Sequence, residues 1–150
     1  MTGKAPTELK EILMGVDFGD ARTGLALSDP TGLLAYGAGC VKCEGINKAA
    51  ALVAEQAISN NVSRIIVGNP INMNGTEGPR SEKCRRFAAL LTELTSLPVE
   101  LFDERLTTVS AHRFLSESNV RGQKRKNSVD ELSATLILQD YLDRNRNKQS

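Results

Sequence analysis

The hydrophobic pattern changes period partway along the chain. Residues 13–19 (LMGVDFG) form a short apolar run that reads as a buried strand, and residues 23–29 (TGLALSD) follow as a second. Asp29-Pro30-Thr31-Gly32 is a turn signal, and residues 33–42 continue as a third extended run. Three strands with tight joins predict an antiparallel meander. The spacing then becomes helical: Ile46, Ala50, Val53, Ala54, Ala57 and Ile58 share one face. Residues 64–68 (RIIVG) read as a short buried strand, and an Asn/Gly/Pro-rich loop spans 69–79. Phe87, Leu90, Leu91 and Leu94 mark a second helix, and Pro98 precedes a strand over 99–102. A third helix is predicted over 107–117, a polar gap over 118–128, and a last helix from 129 to about 144.

Strands that alternate with helices in the second half predict parallel pairing, with helices covering the sheet. The pattern as a whole predicts an α/β fold. Its mixed sheet joins a three-strand antiparallel meander to parallel strands and carries helices on both faces. There is no internal repeat or linker, so 1–150 reads as a single domain, with 1–12 and 145–150 as flexible tails.

Within this pattern Asp17 is out of place. Alternation sets Leu13, Gly15 and Asp17 on one face of the first strand and Met14, Val16 and Phe18 on the other. A lone carboxylate buried in a central strand is costly unless a cation, a metal or hydrogen-bond donors meet it. The plainer alternative is a strand-end Asp capping the next turn. A second acid pair, Asp103-Glu104, ends the last strand, where ligands collect in open α/β sheets. The two point to opposite faces if the strand continues, so one of them reaches a shared site; an ion pair with Arg105 is the alternative.

A third acid, Asp130, follows Ser128, which with Glu131 spells a capping box for the last helix. Asp130, Ala134, Ile137 and Tyr141 trace one helical stripe, so Asp130 faces the body of the protein. Compensation of the helix dipole is the alternative. Taken together, three carboxylates on separate elements are the hard oxygen donors that Mg²⁺ or Mn²⁺ prefers. Two such ions can activate water and stabilise the leaving oxygen in phosphodiester cleavage.

Composition sharpens this picture only in places. With 40% hydrophobic and 25% charged residues in 150, the chain suits one soluble domain with a real core. Net charge is +1, so any nucleic-acid footprint is local. Arg121, Lys124, Arg125 and Lys126 lie just before Asp130, with no acid between Ser118 and Ser128. Arg80 follows a loop containing Asn72 and Asn74, and Arg22 and Arg105 lie close after the first two acids. These residues are candidate contacts to phosphate or sugar. Aromatics make up only 4%, so recognition by shape and backbone is expected rather than base stacking.

Cys40-Val41-Lys42-Cys43 spells C-x-x-C, but only Cys84 and His112 remain to complete a four-ligand zinc site, so inert thiols are expected. No apolar window of about 18 residues exists and the first twelve residues lack an apolar signal core, which predicts a cytoplasmic protein without a membrane partner.

The segments MGVDFGDARTGLALSD, IIVGNPINMNGTE, LFDERLTT and VDELSATLILQDYL occur in this order across nearly the whole chain. They resemble the YqgF/RuvX family of Holliday-junction resolvase-like proteins, also called pre-16S rRNA nucleases. The resemblance implies a ribonuclease H-like fold and metal-dependent cleavage, with Mg²⁺ or Mn²⁺, of structured RNA or branched DNA. It extends to ribosomal precursor particles as partners, with the protein a monomer or weak homodimer. It also implies that the metal-binding and catalytic acids are Asp17, Glu104 and Asp130, with Asp103 of the same motif in reserve. One departure stands near the third acid, where Asn127-Ser128 separate the Lys124–Lys126 run from Val129-Asp130.

Two other readings of the same residues stay open. Asp17-Phe18-Gly19 with Thr23-Gly24 also looks like the phosphate loop of actin-like ATPases and sugar kinases, which need two such domains. A non-catalytic nucleic-acid- or ribosome-associated factor keeps the fold and the basic residues without cleavage.

Overall fold

The first strand is buried along its whole length. In a computed structural model, which describes residues 11–106 and 123–149 (of 123–128 and 147–149 the backbone alone), β1 (Leu13–Asp17) is buried at all five positions. It is the middle strand of five. With β2 (Arg22–Ser28), β3 (Ala35–Lys42), β4 (Arg64–Asn69) and β5 (Val99–Asp103), the sheet order is β3-β2-β1-β4-β5. β1 pairs antiparallel with β2, and β2 antiparallel with β3, which is the predicted meander. β1 pairs parallel with β4, and β4 parallel with β5. Asp29 sets the β2–β3 turn by accepting the Gly32 N–H at 2.8 Å and the Leu34 N–H at 3.1 Å, with Gly32 at φ 77°.

Helices α1 (Ile46–Ser59), α2 (Pro79–Thr95) and α3 (Gln123–Gln149) cover both faces. Met14, Val16 and Phe18 pack with Val53 and Ala57 of α1 and with Phe87 and Leu91 of α2. Leu13, Ala26 and Ile66 pack with Ala134, Ile137, Leu138 and Tyr141 of α3. The strand alternation thus sends Asp17 to the α3 face. α2 opens with Pro79 in its first turn, where a missing N–H is harmless.

Several boundaries differ from the sequence reading. β1 ends at Asp17 rather than 19, because its ladder with β2 closes on Asp17 and Gly24 and the chain then turns over residues 18–21. Asp17 therefore ends the central strand. The last helix begins at Gln123 rather than 129. Gln, Lys and Arg are good helix formers, and a helix docked along its later stripe propagates back through them. Ser128 accordingly lies inside the helix and is not its N-cap. Glu131 instead reaches β3, where its Oε2 accepts the Gly39 N–H at 2.8 Å. Lys124, Arg125 and Lys126 belong to the first turns of α3 rather than to a loop. Residues 145–149 continue α3, and Ile12 is tied in through its carbonyl, which accepts the Ser63 N–H at 2.8 Å. The helix predicted over 107–117, and Arg121, lie outside the described residues.

Candidate active site

Asp17, 8% exposed, stands on the α3 face between two glycines. Its antiparallel partner on β2 is Gly24. A Cβ on Gly24 would lie 2.0 Å from the carbonyl oxygen of Asp130, so the absence of a side chain there is what admits the α3 backbone. On the other side Val16 pairs with Val67, which sets Asp17 level with Gly68 on β4. A Cβ on Gly68 would lie 2.7 Å from Oε2 of Glu104, itself only 5% exposed. Glu104 opens the short 3-10 turn (Glu104–Leu106) that follows β5.

The three predicted acids thus form a row, Asp130 over β2, Asp17 on β1 and Glu104 over β4. With strands about 4.8 Å apart, the row spans roughly 10 Å at the C-terminal edge of the parallel strands. Among the described residues no three carboxylate, imidazole or thiol groups converge tightly enough to hold one ion together. The row suits groups that bridge neighbours, with Asp17 the member common to both ends.

A cleft of about 180 Å³ opens at the Asp17–Asp130 end, and its walls include Gly19, Arg22 and Arg80. Asp130 accepts from Arg22 Nε at 2.9 Å, both side chains being about one-quarter exposed (23% and 26%). Arg80 donates through Nη2 to the Phe18 carbonyl at 2.8 Å, which holds the guanidinium at the rim. The turn between Asp17 and Arg22 is further braced by Thr23 Oγ1, which accepts the Gly19 N–H at 3.5 Å.

The neighbouring acids at the end of β5 divide. Glu104 turns under α3, while Asp103 is gripped by Arg105. Nε of Arg105 lies 3.1 and 3.0 Å from the two Asp103 oxygens, Nη2 lies 2.7 Å from Oδ2, and the Arg105 N–H donates at 2.9 Å. These bonds hold the Asp103 carboxyl below the ordinary aspartate value and raise Arg105. Arg105 also reaches the Met73 carbonyl at 3.5 Å, which ties the 72–76 loop to the acid-bearing turn.

The residues predicted to contact nucleic acid are therefore not equivalent. Arg22 and Arg80 line the cleft. Arg105 is engaged by Asp103. Asn72 and Asn74 brace their own loop: Asn72 Nδ2 donates to Thr76 Oγ1 at 3.0 Å, and Asn74 Oδ1 accepts the Thr76 N–H at 3.0 Å. The C-x-x-C cysteines lie at the end of β3 and just beyond it. Cys40 pairs in register with Gly24, and burial, with the Asp130 charge added, pushes its thiol pKa up.

Sequence reasoning missed the two glycines and the buried pair that closes β4, where Ser81 Oγ donates to Asn69 Oδ1 at 2.7 Å. The signal was present in TGLALS and IIVGN, since a glycine inside an apolar strand marks a close approach of something else.

This sheet order, three antiparallel strands followed by two parallel ones, with an acid ending the central strand, is that of a ribonuclease H-like fold. The fold is similar to that of Thermus thermophilus RuvC in complex with Holliday junction substrate, with TM-score 0.59 and 13% identity, covering 91% of this chain and 96% of that one. It is also similar to the fowlpox virus Holliday junction resolvase, with TM-score 0.50 and 15% identity, covering 89% and 99%. At these identities the likeness is one of fold. Residues 11–144 match the RuvX family, described as Holliday junction resolvase, and the chain belongs to that family. Relatives named "Putative pre-16S rRNA nuclease" occur in Ruminiclostridium cellulolyticum and Streptococcus gordonii. The first is 45% identical over 133 residues, covering 88% of this chain and 94% of the relative. The second is 45% identical over 140 residues, covering 89% and 98%.

Proposed function

We propose that this protein is a metal-dependent nuclease that hydrolyses phosphodiester bonds in structured nucleic acid, with Asp17, Glu104 and Asp130 as its catalytic acids. The observation that carries this reading is the row of three carboxylates at one sheet edge, each given room by a glycine or a turn. The donor set fits hard divalent ions: all three groups offer carboxylate oxygens, and among the described residues neither imidazole nor thiol lines the adjoining cleft. Asp17, Glu104 and Asp130 would hold Mg²⁺ or Mn²⁺, and Asp103 is set aside because it follows Phe102, which packs on the α3 face, and so turns to the opposite face of the strand. When bound, such ions supply an activated water and stabilise charge on the leaving oxygen.

The chain's own residues supply position. Asp17 is fixed by a strand buried at every position, which holds geometry better than a loop does. Arg80 at the cleft rim and Lys124, Arg125 and Lys126 before Asp130 supply positive charge for backbone phosphates. The substrate class follows from kinship. Relatives are named for the pre-16S rRNA and the family for the Holliday junction. We infer action in the cytoplasm on one of these, the ribosomal RNA precursor within its precursor particle or a four-way DNA junction. No helix among the described residues is long and apolar enough to cross a membrane.

The test is cleavage by purified protein with Mn²⁺ of a four-way DNA junction and of a 5′-extended ribosomal RNA precursor. Products with 5′-phosphate and 3′-hydroxyl ends are expected. Products ending in 2′,3′-cyclic phosphate rule out metal-activated water. No cleavage of either substrate by folded protein, with Asp17→Asn indistinguishable from wild type, points to a binding factor.

A further inference from the structure

We infer that Arg22 is the resident counter-ion of Asp130: it holds that carboxylate until a divalent ion displaces it, and it then turns to a phosphate of the substrate. The inference rests on the metal-site reading above and adds to it a residue that competes with the ion.

Arg22 and Asp130 meet at 2.9 Å through Nε and Oδ2, on the wall of the cleft that also holds Asp17. Arg22, Gly24 and Ala26 share the strand face turned to α3, so the guanidinium rises from the same face as the acids. A partly desolvated ion pair is stronger than a surface one, and a divalent ion on Asp130 would stand within a few ångströms of the guanidinium and repel it. The two cations therefore exclude each other.

A purely structural salt bridge explains less. α3 is already seated on β1 and β3 by other means. A Cβ on Gly15 would lie 2.7 Å from Leu138 Cβ, Glu131 accepts from Gly39, and Gln139 Oε1 accepts the Ala35 N–H at 2.8 Å. The Asp130 backbone is already seated against β2 at Gly24, so the helix need not move for the pair to release. Exchange happens by rotation of the Arg22 side chain. That residue begins β2, next to the exposed Asp20-Ala21 turn, where a long side chain has room to swing. A freed guanidinium presents a planar fork that matches phosphate oxygens bidentately, which a metal-bound carboxylate cannot do.

The experiment is Mn²⁺ titration of wild type, Arg22→Gln and Asp130→Asn, read by the free-ion paramagnetic resonance signal, with folding checked by circular dichroism. Arg22→Gln keeps a side-chain donor and removes the charge. It is expected to bind Mn²⁺ about tenfold more tightly, equivalent to about 1.4 kcal/mol, while its KM for substrate rises. Equal or weaker Mn²⁺ binding by Arg22→Gln, with Asp130→Asn impaired, overturns the competition and leaves the metal site standing. Wild-type affinity in Asp130→Asn overturns both. A measurement on the wild type guards against a misfolded variant. The Arg22 Nε–Hε resonance is expected to shift along the Mg²⁺ binding curve, and an unmoved resonance at saturating Mg²⁺ overturns the exchange.

Discussion

Asp17 faces Gly24 directly across the β1–β2 ladder, and the empty side-chain position at Gly24 is filled by the backbone carbonyl of Asp130. One acid is thus brought beside another by the absence of a third side chain. The same device repeats at Gly68, where the space holds the carboxylate of Glu104 and the tip of Ile137.

The two glycines have different neighbours, so the same substitution is expected to fail in different ways. Gly24→Ala places a methyl 2.0 Å from a backbone oxygen that cannot rotate away. Overpacking of that kind is expected to lower stability by about 1–3 kcal/mol or more, read as a reduced urea midpoint, with activity falling as α3 lifts. Gly68→Ala meets Ile137 Cδ1 at 2.5 Å and Glu104 Oε2 at 2.7 Å, both ends of movable side chains. Its destabilisation is expected to be the smaller, with cleavage abolished because Glu104 is displaced. Equal destabilisation of the two variants would contradict this account.

Asp103 and Glu104 are adjacent, and substitution separates them. Glu104→Gln is expected to abolish cleavage, whereas Asp103→Asn keeps most of it. Asp103 also predicts a pH effect. Its folded-state pKa lies below the ordinary 3.8, chiefly through the Arg105 hydrogen bonds. The stability it contributes is therefore complete above about pH 3.8 and is lost as pH falls through the lower folded value. The pair faces solvent, so the effect is small. Stability curves of wild type and Asp103→Asn are expected to run parallel above about pH 4, with wild type slightly the more stable, and to converge below it.

The sheet was legible in the sequence because its signals are local. Residues 13–17 alternate faces, Asp29-Pro30-Thr31-Gly32 turns, and Ile46, Ala50, Val53 and Ala57 recur with helical period. The start of α3 was not legible, because Ser128 and Glu131 spell a capping box that docking overrides. Ala134, Ile137 and Leu138 hold the helix on the sheet, and Glu131 is drawn away to Gly39. Of the candidate site, the acids were readable as residues out of keeping with their surroundings. The pairing of Arg22 with Asp130 was not, since 108 positions separate them. No periodicity reports an ion pair made only when α3 lies across β2.

Crowding of like charge makes a prediction about the protein without ions. Asp17 lies between Asp130 and Glu104, and Asp17→Asn removes one of three negative charges while keeping shape. In EDTA the variant is expected to unfold at the same urea concentration as wild type or a higher one. Its cleavage is expected to fall by a factor of roughly 10³ or more, the scale on which one member of a catalytic group is missed. A variant that unfolds earlier than wild type in EDTA would show Asp17 to be a structural cap.

Lys124, Arg125 and Lys126 occupy the first turns of α3, one to two turns ahead of Asp130. Positive charge at a helix N-terminus opposes the helix dipole and has no stabilising role there. Replacing all three with Ala, the best helix former, is therefore expected to leave the fold as stable as wild type or more so. Binding should respond in the opposite sense. Each phosphate that is no longer neutralised lowers the slope of log affinity against log salt by about 0.9 on duplex DNA, or about 0.7 on a single strand. The triple variant is expected to bind both the four-way junction and the RNA precursor more weakly at low salt, with a flatter salt dependence and an unchanged Mn²⁺ affinity. Fluorescence anisotropy across a salt series, using the Asp17→Asn background to prevent cleavage, gives the slope directly. An unaltered slope would place these residues on a solvated face away from the substrate.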